Sequence, residues 1–167
     1  VPFIDRNYIL RVLAQEDDTH ITYNGQTYTL NKGAYHESST LTQSTYISSD
    51  KLISVAQYSL TQACSNAMGG TIIGDPEMVM LNPIEFNIKG ITVFSSTLQA
   101  ITSRYINVLM RADKTSTFKM NDVPVSANWI PLAGNSFYAY AQLPVSQSSI
   151  TLTAHDAFND IGYRFGQ

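Results

Sequence analysis

Apolar and polar side chains alternate along many short segments of this chain. The clearest run is Phe137 to Val145, and Ile150 to Ala154 and Tyr8 to Ala14 follow the same rule. Successive side chains of a β-strand point to opposite faces, so this alternation predicts strands with one buried and one wet face. No segment keeps the 3.6-residue period of a helix. The pattern therefore favours an all-β fold.

Turn sequences separate these runs every eight to twelve residues or so. Asn24-Gly25 is the strongest of them, because this dipeptide readily adopts the positive φ angles of a tight β-hairpin turn. Other turns are predicted at Glu16-Asp17-Asp18-Thr19, at Asn31-Lys32-Gly33 and at Ser48-Ser49-Asp50-Lys51. Short strands at this spacing are typical of antiparallel β-sandwiches.

Three marker sequences of the first part recur in the second part in the same order. They are Tyr8-Ile9 with Tyr105-Ile106, Asp17-Asp18-Thr19 with Asp113-Lys114-Thr115, and Asn24-Gly25 with Asn121-Asp122. Duplication of one β unit explains this order economically. We predict two tandem, related antiparallel β-sandwich units, residues 1–75 and residues 76–167.

A long Ser-, Asn- and Gly-rich segment, Thr61 to Pro76, separates the strand at Ile53 from a second one at Met78 to Leu81. The unbroken apolar run of the second strand predicts burial on both faces. Long loops in compact proteins are often functional, which makes Gln62, Asp75 and Glu77 candidate ligand-binding residues. Asp75 and Glu77 are also calcium candidates, although Asp75 before Pro76 suits a turn better.

Composition limits the possible partners. Charged residues make up 14% of the chain and the formal net charge is −3, so no basic face is available for nucleic acid. No apolar run approaches the ~20 residues needed to span a bilayer, so membrane insertion is not expected. No signal peptide opens the chain, and Val1-Pro2-Phe3 already has strand character, so we expect a piece of a longer protein.

Catalytic and cofactor motifs are missing from the sequence. His20, His36 and His155 lack the spacing of zinc ligands, and no serine lies in a G-x-S-x-G elbow. Cys64 has the uncharged neighbours Ala63 and Ser65, so nothing in the sequence depresses the pKa of its thiol. It is either a buried thiol or a partner for a cysteine outside this chain. We predict no enzyme, no cofactor and no metal other than the calcium already mentioned.

Several tyrosines lie on predicted strands. Tyr138 and Tyr140, like Tyr35 and Tyr46, are expected to expose their rings from strands, as at protein or sugar interfaces. Tyrosine is equally a good strand residue that needs no ligand.

In the acidic cluster Glu16-Asp17-Asp18 we expect side-chain-to-backbone hydrogen bonds and no metal.

Four stretches together resemble the IgGFc-binding protein N-terminal domain family. They are RVLAQEDDTHITYNG at 11–25, SSDKLISVAQYSLTQAC at 48–64, GDPEMVMLNPIE at 74–85 and FNDIGYRFG at 158–166. The form with Glu77 and Asn82-Pro83 is more similar to members in large surface proteins of Bacteroidota than to the animal members. The family region begins before Val1, so the first unit is expected to lack its opening strands.

This resemblance implies a secreted or cell-surface, all-β, non-catalytic module of a long multidomain protein. Its expected role is adhesion or the binding of a protein or glycan ligand at a cell surface. The residues allow two alternatives, a stalk or spacer without its own ligand and an accessory domain of a polysaccharide-acting enzyme. No residues for Fc binding can be assigned from the resemblance.

Overall fold

The computed structural model describes residues 1–4, 6–60, 77–95 and 101–166. These residues form antiparallel β-sheets with two short 3-10 helices, which confirms the all-β fold. The chain divides into two compact units, Val1–Asn82 and Pro83–Gln167. The boundary expected from the sequence lies a few residues earlier, between residues 75 and 76.

The described residues of the first unit form seven strands. They are β1 (Tyr8–Ala14), β2 (Thr19–Tyr23), β3 (Gln26–Leu30), β4 (Tyr35–Glu37), β5 (Ile47–Ser49), β6 (Ile53–Ser59) and β7 (Met78–Met80). They form a four-stranded sheet in the order β4-β1-β6-β7 and a three-stranded sheet in the order β3-β2-β5.

The two sheets of the first unit pack face to face. Tyr8, Leu10 and Val12 of β1 are buried, as the alternation of that strand predicts. Leu10 and Val12 line a narrow apolar space together with Tyr23 of β2 and Ile47 of β5. Side chains from both sheets therefore meet in one core, which is the sandwich arrangement.

The predicted hairpin at Asn24-Gly25 is confirmed. Strands β2 and β3 pair with Tyr23 opposite Gln26, which leaves Asn24 and Gly25 as the two-residue turn. Both residues have positive φ, 50° for Asn24 and 74° for Gly25. These angles match a type I′ turn, whose twist fits that of the flanking strands.

Strand β7 differs from its prediction. Met78 and Met80 are 59% and 55% exposed, so the strand is not buried on both faces. Among the described strands β7 pairs only with β6, which places it at the edge of its sheet. An edge strand has no second neighbour to cover its side chains, and the apolar run alone does not reveal this.

The second unit contains the remaining elements. They are 3-10 helix Ile84–Phe86, β8 (Ile88–Phe94), β9 (Ile101–Arg111), 3-10 helix Ala112–Thr117, β10 (Lys119–Met120), β11 (Val123–Pro124), β12 (Ile130–Pro131), β13 (Tyr138–Pro144) and β14 (Ser149–Gly166). The sheet has the order β11-β10-β14-β9-β13-β12, and β8 also pairs with β14. Its core includes Val108, Met110, Phe118, Leu152 and Phe158, all fully buried.

The last strand is longer than the alternation predicts. The sequence indicates separate strands at Ile150 to Ala154 and at Ile161 to Phe165, whereas β14 runs unbroken from Ser149 to Gly166. Its first part pairs with β8 and β10, and its register shifts between Thr153 and Phe158. The second part pairs with β9. One strand thus changes partners without a turn.

The order of strand pairing is similar in the two units. Strand β1 lies between β4 and β6, and β9 lies between β13 and β14. The hairpin β2-β3 pairs with β5, and the hairpin β10-β11 pairs with the first part of β14. This order agrees with a shared origin of the units, which stays a prediction.

Candidate functional site

One face of the four-stranded sheet points away from the core of the first unit. Directly opposed residues of antiparallel strands lie on the same face, so the register determines which side chains meet there. Ile9, Arg11 and Leu13 of β1 alternate with the buried residues of that strand. Their cross-strand neighbours on β4 and β6 lie on the same face, and so do the β7 residues opposite Ala56 and Tyr58. These residues are Tyr35, Glu37, Ser54, Ala56, Tyr58, Met78 and Met80. We call this set the outer face.

Arg11 lies at the centre of the outer face and is held from three sides. Its Nε donates a hydrogen bond to Oε2 of Glu37 over 2.6 Å. The guanidinium carbon lies 5.4 Å from the ring centroid of Tyr35 and 5.1 Å from that of Tyr58. The hydrogen bond to Glu37 and the charge of Glu37 raise the pKa of Arg11, so the group stays charged. Cation–π and ionic contacts thus fix a planar group between two rings.

Around Arg11 the outer face is apolar and open to solvent. Tyr35 is 57% exposed, and Leu13, Met78 and Met80 are exposed as well. Contiguous exposed apolar surface of this kind commonly marks an interaction site. Tyrosine, methionine and arginine are also the side chains enriched at protein interfaces, while methionine adapts its shape to different partners. The outer face therefore has the composition of a protein-binding surface.

A smaller cluster of similar chemistry lies in the second unit. Arg111 Nη2 lies 3.1 Å from Oδ2 of Asp113, and its guanidinium carbon lies 4.9 Å from the ring centroid of Phe137. The ring of Phe137 contacts that of Tyr138 at 5.3 Å between centroids. Tyr138 is opposite Arg111 in the β13–β9 register. The candidate Tyr138 is thus part of an arginine–aromatic cluster.

Tyr140 corrects the expectation of an exposed ring, because it is only 6% exposed. It lies directly opposite Ile130 of β12 and Leu109 of β9, on the same face of the sheet. Nearby on this face, Tyr163 Oη donates a 3.0 Å hydrogen bond to Oδ1 of the buried Asn107. The polar residues that alternate with apolar ones in β13 are therefore not all exposed to solvent.

The candidates of the long loop fall mostly outside the described residues. Gln62, Asp75 and Cys64 all lie there, and the calcium hypothesis at Asp75 and Glu77 stays a prediction. Glu77 is described, and its backbone N–H donates to Oγ of Ser59 over 2.7 Å. Burial lowers the pKa of the Arg6 guanidinium, and the negative charge of Glu77 opposes that shift. Glu77 therefore balances a buried cation.

The acidic cluster and His20 are joined to nearby backbone. Oδ1 of Asp17 accepts the Lys32 backbone N–H over 2.9 Å, which confirms the side-chain-to-backbone hydrogen bond expected there. Oδ1 of Asp50 accepts a 2.8 Å hydrogen bond from the backbone N–H of His20, and Oδ2 of Asp50 lies 2.8 Å from Nδ1 of the His20 ring. These hydrogen bonds lower the pKa of Asp50. In the described part of the chain no three His, Cys, Asp or Glu side chains are grouped as metal ligands.

Sequence reasoning missed Arg11, Tyr58, Met78 and Met80 as possible binding residues. The sequence does single out Arg11, because it is the charged residue of β1 and alternates with the buried apolar residues of that strand. The partners that make it notable come from β4 and β6, and only the register brings them together. For Met78 and Met80 the apolar run gave the opposite prediction, burial.

The sheets and their shared core place the chain in the general class of all-β sandwich modules. Within that class, the family model described as IgGFc binding protein matches residues 1–163, and the chain belongs to this family. The resemblance predicted from the sequence is thereby confirmed at the level of the family. Neither the curated proteins nor the solved structures gave a match.

Family membership bears on activity and location. The family is a binding-domain family and not a known enzyme family, and it suggests an extracellular module with a protein ligand. Among the described residues no helix has both the length and the apolar character needed to cross a membrane.

Proposed function

We propose that this chain is a non-catalytic adhesion or ligand-binding module of a larger cell-surface protein, and that the outer face of its first unit binds a protein. The observation that carries this proposal is the position of Arg11, fixed between Tyr35 and Tyr58 by Glu37 in the middle of exposed apolar side chains. Family membership supports a protein ligand.

The chemistry of the outer face specifies the kind of contact. Glu37 neutralises Arg11, so the centre of the surface carries little net charge. Two rigid rings lose little conformational entropy on binding, and Met78 and Met80 adjust to the shape of the partner. We therefore expect the partner to present apolar side chains, with binding that depends only weakly on salt.

A glycan ligand fits this surface less well. Sugars bind tyrosine through the face of the ring, and Tyr35 and Tyr58 each already direct a ring face at the Arg11 guanidinium. A sugar stacked on that face of either ring would have to displace the cation, so only the opposite ring faces remain for a glycan. A protein can instead contact the ring edges, Leu13 and the methionines without disturbing Arg11.

The test is a binding screen of the full chain against immobilised extracellular proteins and glycans. Immunoglobulin Fc is the first protein to include because the family is named for it. The informative variant is Tyr35→Ala combined with Met80→Asp, both on the outer face. Val123→Ala is the matched control, since Val123 is 64% exposed but lies in the second unit.

The proposal predicts a protein ligand whose binding the double variant abolishes and the control retains. Binding to glycans alone, or a protein ligand that both variants bind equally, would contradict it. Silence across the screen would favour the spacer alternative. Selective binding to polysaccharide would favour the accessory domain of a polysaccharide-acting enzyme.

Substitution of the loop candidates separates the outer face from the long loop. If the outer face binds the ligand, replacing Gln62 and Asp75 together leaves affinity unchanged; Glu77 is kept, because it balances the buried charge of Arg6. Loss of binding in that loop variant, with a folded chain by circular dichroism, would instead assign the site to the loop.

A further inference from the structure

Strand β8 is a long and exposed edge of the second unit. It spans seven residues, Ile88–Phe94, and among the described strands it pairs only with β14. Every residue except Val93 is exposed, including Ile88, Ile91 and Phe94, the last at 76%. Long apolar edge strands are uncommon in soluble proteins because their free backbone groups template pairing with another strand.

The backbone of β8 shows which groups face the free edge. Ser95 N–H donates to Ser148 O over 2.7 Å, in register with the β8–β14 ladder. Backbone groups of alternate residues point to opposite sides of a strand, so residues 89, 91 and 93 are directed towards β14. The N–H and C=O groups of Ile88, Gly90, Thr92 and Phe94 are therefore directed away from it.

We propose that β8 pairs with β8 of a second copy of this chain, antiparallel about a two-fold axis at Ile91. This register places Ile88 opposite Phe94 of the other copy and Gly90 opposite Thr92. All four of these residues direct their backbone groups to the free edge, so the pairs form hydrogen-bonded rings. In a register shifted by one residue, a residue whose backbone groups point to the free edge would lie opposite one whose backbone groups point to β14. The hydrogen bonds between the two copies would then be lost.

Side chains match in the same register. Ile88 and Phe94 are equally far from Ile91, so two apolar pairs form on one face of the joined sheet and Ile91 meets Ile91 on the other. Lys89 is the only charged residue of the strand, and its opposite residue is Val93. No like charges are therefore opposed. Such a self-complementary contact closes after two copies and does not propagate into a filament.

Sedimentation velocity of the full chain at increasing concentration tests the proposal. The expected result is a monomer–dimer equilibrium. Thr92→Pro removes one free-edge N–H but none of the donors directed at β14, because proline is tolerated at the open side of an edge strand. We expect it to weaken dimerisation by at least about tenfold.

Two further variants keep the test decisive. Thr92→Val is the matched control, because it loses the hydroxyl contact to Thr151 at 3.2 Å but keeps the N–H, and it should dimerise like the wild type. Phe94→Lys changes an exposed side chain and should give a monomer even if the proline variant is unstable. A wild type that stays monomeric, or a Phe94→Lys variant that dimerises normally, overturns the proposal. In the first case β8 would be open to a strand from another protein.

Discussion

Arg11 differs from an ordinary surface charge, because it pairs with a carboxylate and two aromatic rings at once. Exposed ion pairs usually contribute little to stability, because water screens them and both side chains lose entropy. In this protein the same ion pair also holds the guanidinium between two rings, which prepares the outer face for a partner. We expect Arg11 to matter for binding and hardly for folding.

Replacing Arg11 by lysine tests that distinction. Lysine keeps the charge but lacks the planar group that lies between Tyr35 and Tyr58. We expect Arg11→Lys to reduce affinity for the protein ligand by about tenfold, as at an interface hot spot, with the urea midpoint unchanged. Equal affinity of the lysine variant and the wild type, measured by calorimetry, would show that only charge matters.

Asp160 has an environment that opposes its ionised form. It lies opposite Val108 in the β14–β9 register, on the side of the core, and burial raises the pKa of its carboxyl. The folded pKa lies above the unfolded one, so this group favours the fold at low pH. That contribution is lost as the pH rises through the folded pKa.

Asp160→Asn removes the ionisable group while nearly keeping its shape. We expect the variant to be more stable than the wild type at pH 7, because the amide carries no charge to bury, and the gain to vanish in acid. Urea unfolding at both pH values measures this. Glu85→Gln is the control, since Glu85 is an exposed carboxylate of the same unit. A gain for Asp160→Asn that does not depend on pH would contradict the assignment.

The sequence did not distinguish the two tyrosine candidates of β13. Tyr138 lies in the Arg111 cluster, and its role in binding stays a prediction. Tyr140, two residues further, was expected to be exposed and is buried between Ile130 and Leu109. Arg11 was missed because Glu37 lies 26 residues along the chain and Tyr58 further still. Strand register brings these residues together, and alternation gives no register.

Among the secondary-structure elements, local chemistry predicts hairpins better than strand environments. The Asn24-Gly25 turn needs only two residues with positive φ, and both the turn and its strands are as predicted. The exposure of β7 depends on its position in the sheet. The continuity of β14 depends on an exchange of partner strands. Neither property is encoded in a short window of sequence.

Gly25→Ala tests the turn itself. Gly25 has a φ of 74°, and an added Cβ would meet no atom within 4 Å, so any cost comes from the backbone angle alone. We expect a loss of roughly 1 kcal/mol in the free energy of unfolding. Gly162→Ala is the matched control, because its Cβ would make an ordinary contact with Val93 Cγ1 at 3.7 Å without a positive φ. Equal stability of the two variants would rule out the type I′ assignment.

In the whole molecule, the division into Val1–Asn82 and Pro83–Gln167 has a consequence for folding. The second unit has its own core, built around Met110, Phe118 and Phe158. We expect residues 83–167 to fold alone with cooperative urea unfolding and a dispersed NMR spectrum. A division at residue 75 would transfer β7 to this fragment, away from its partner β6. A disordered 83–167 fragment would contradict two separate cores.

We propose the outer face of the first unit as the surface that binds a protein. Amide hydrogen exchange of the full chain, with and without the ligand from the binding screen, maps the contact most directly. We expect binding to slow exchange in β1, β4, β6 and β7 and to leave β9 to β14 unchanged. Protection confined to residues 83–167, with β1 and β4 unaffected, would contradict it.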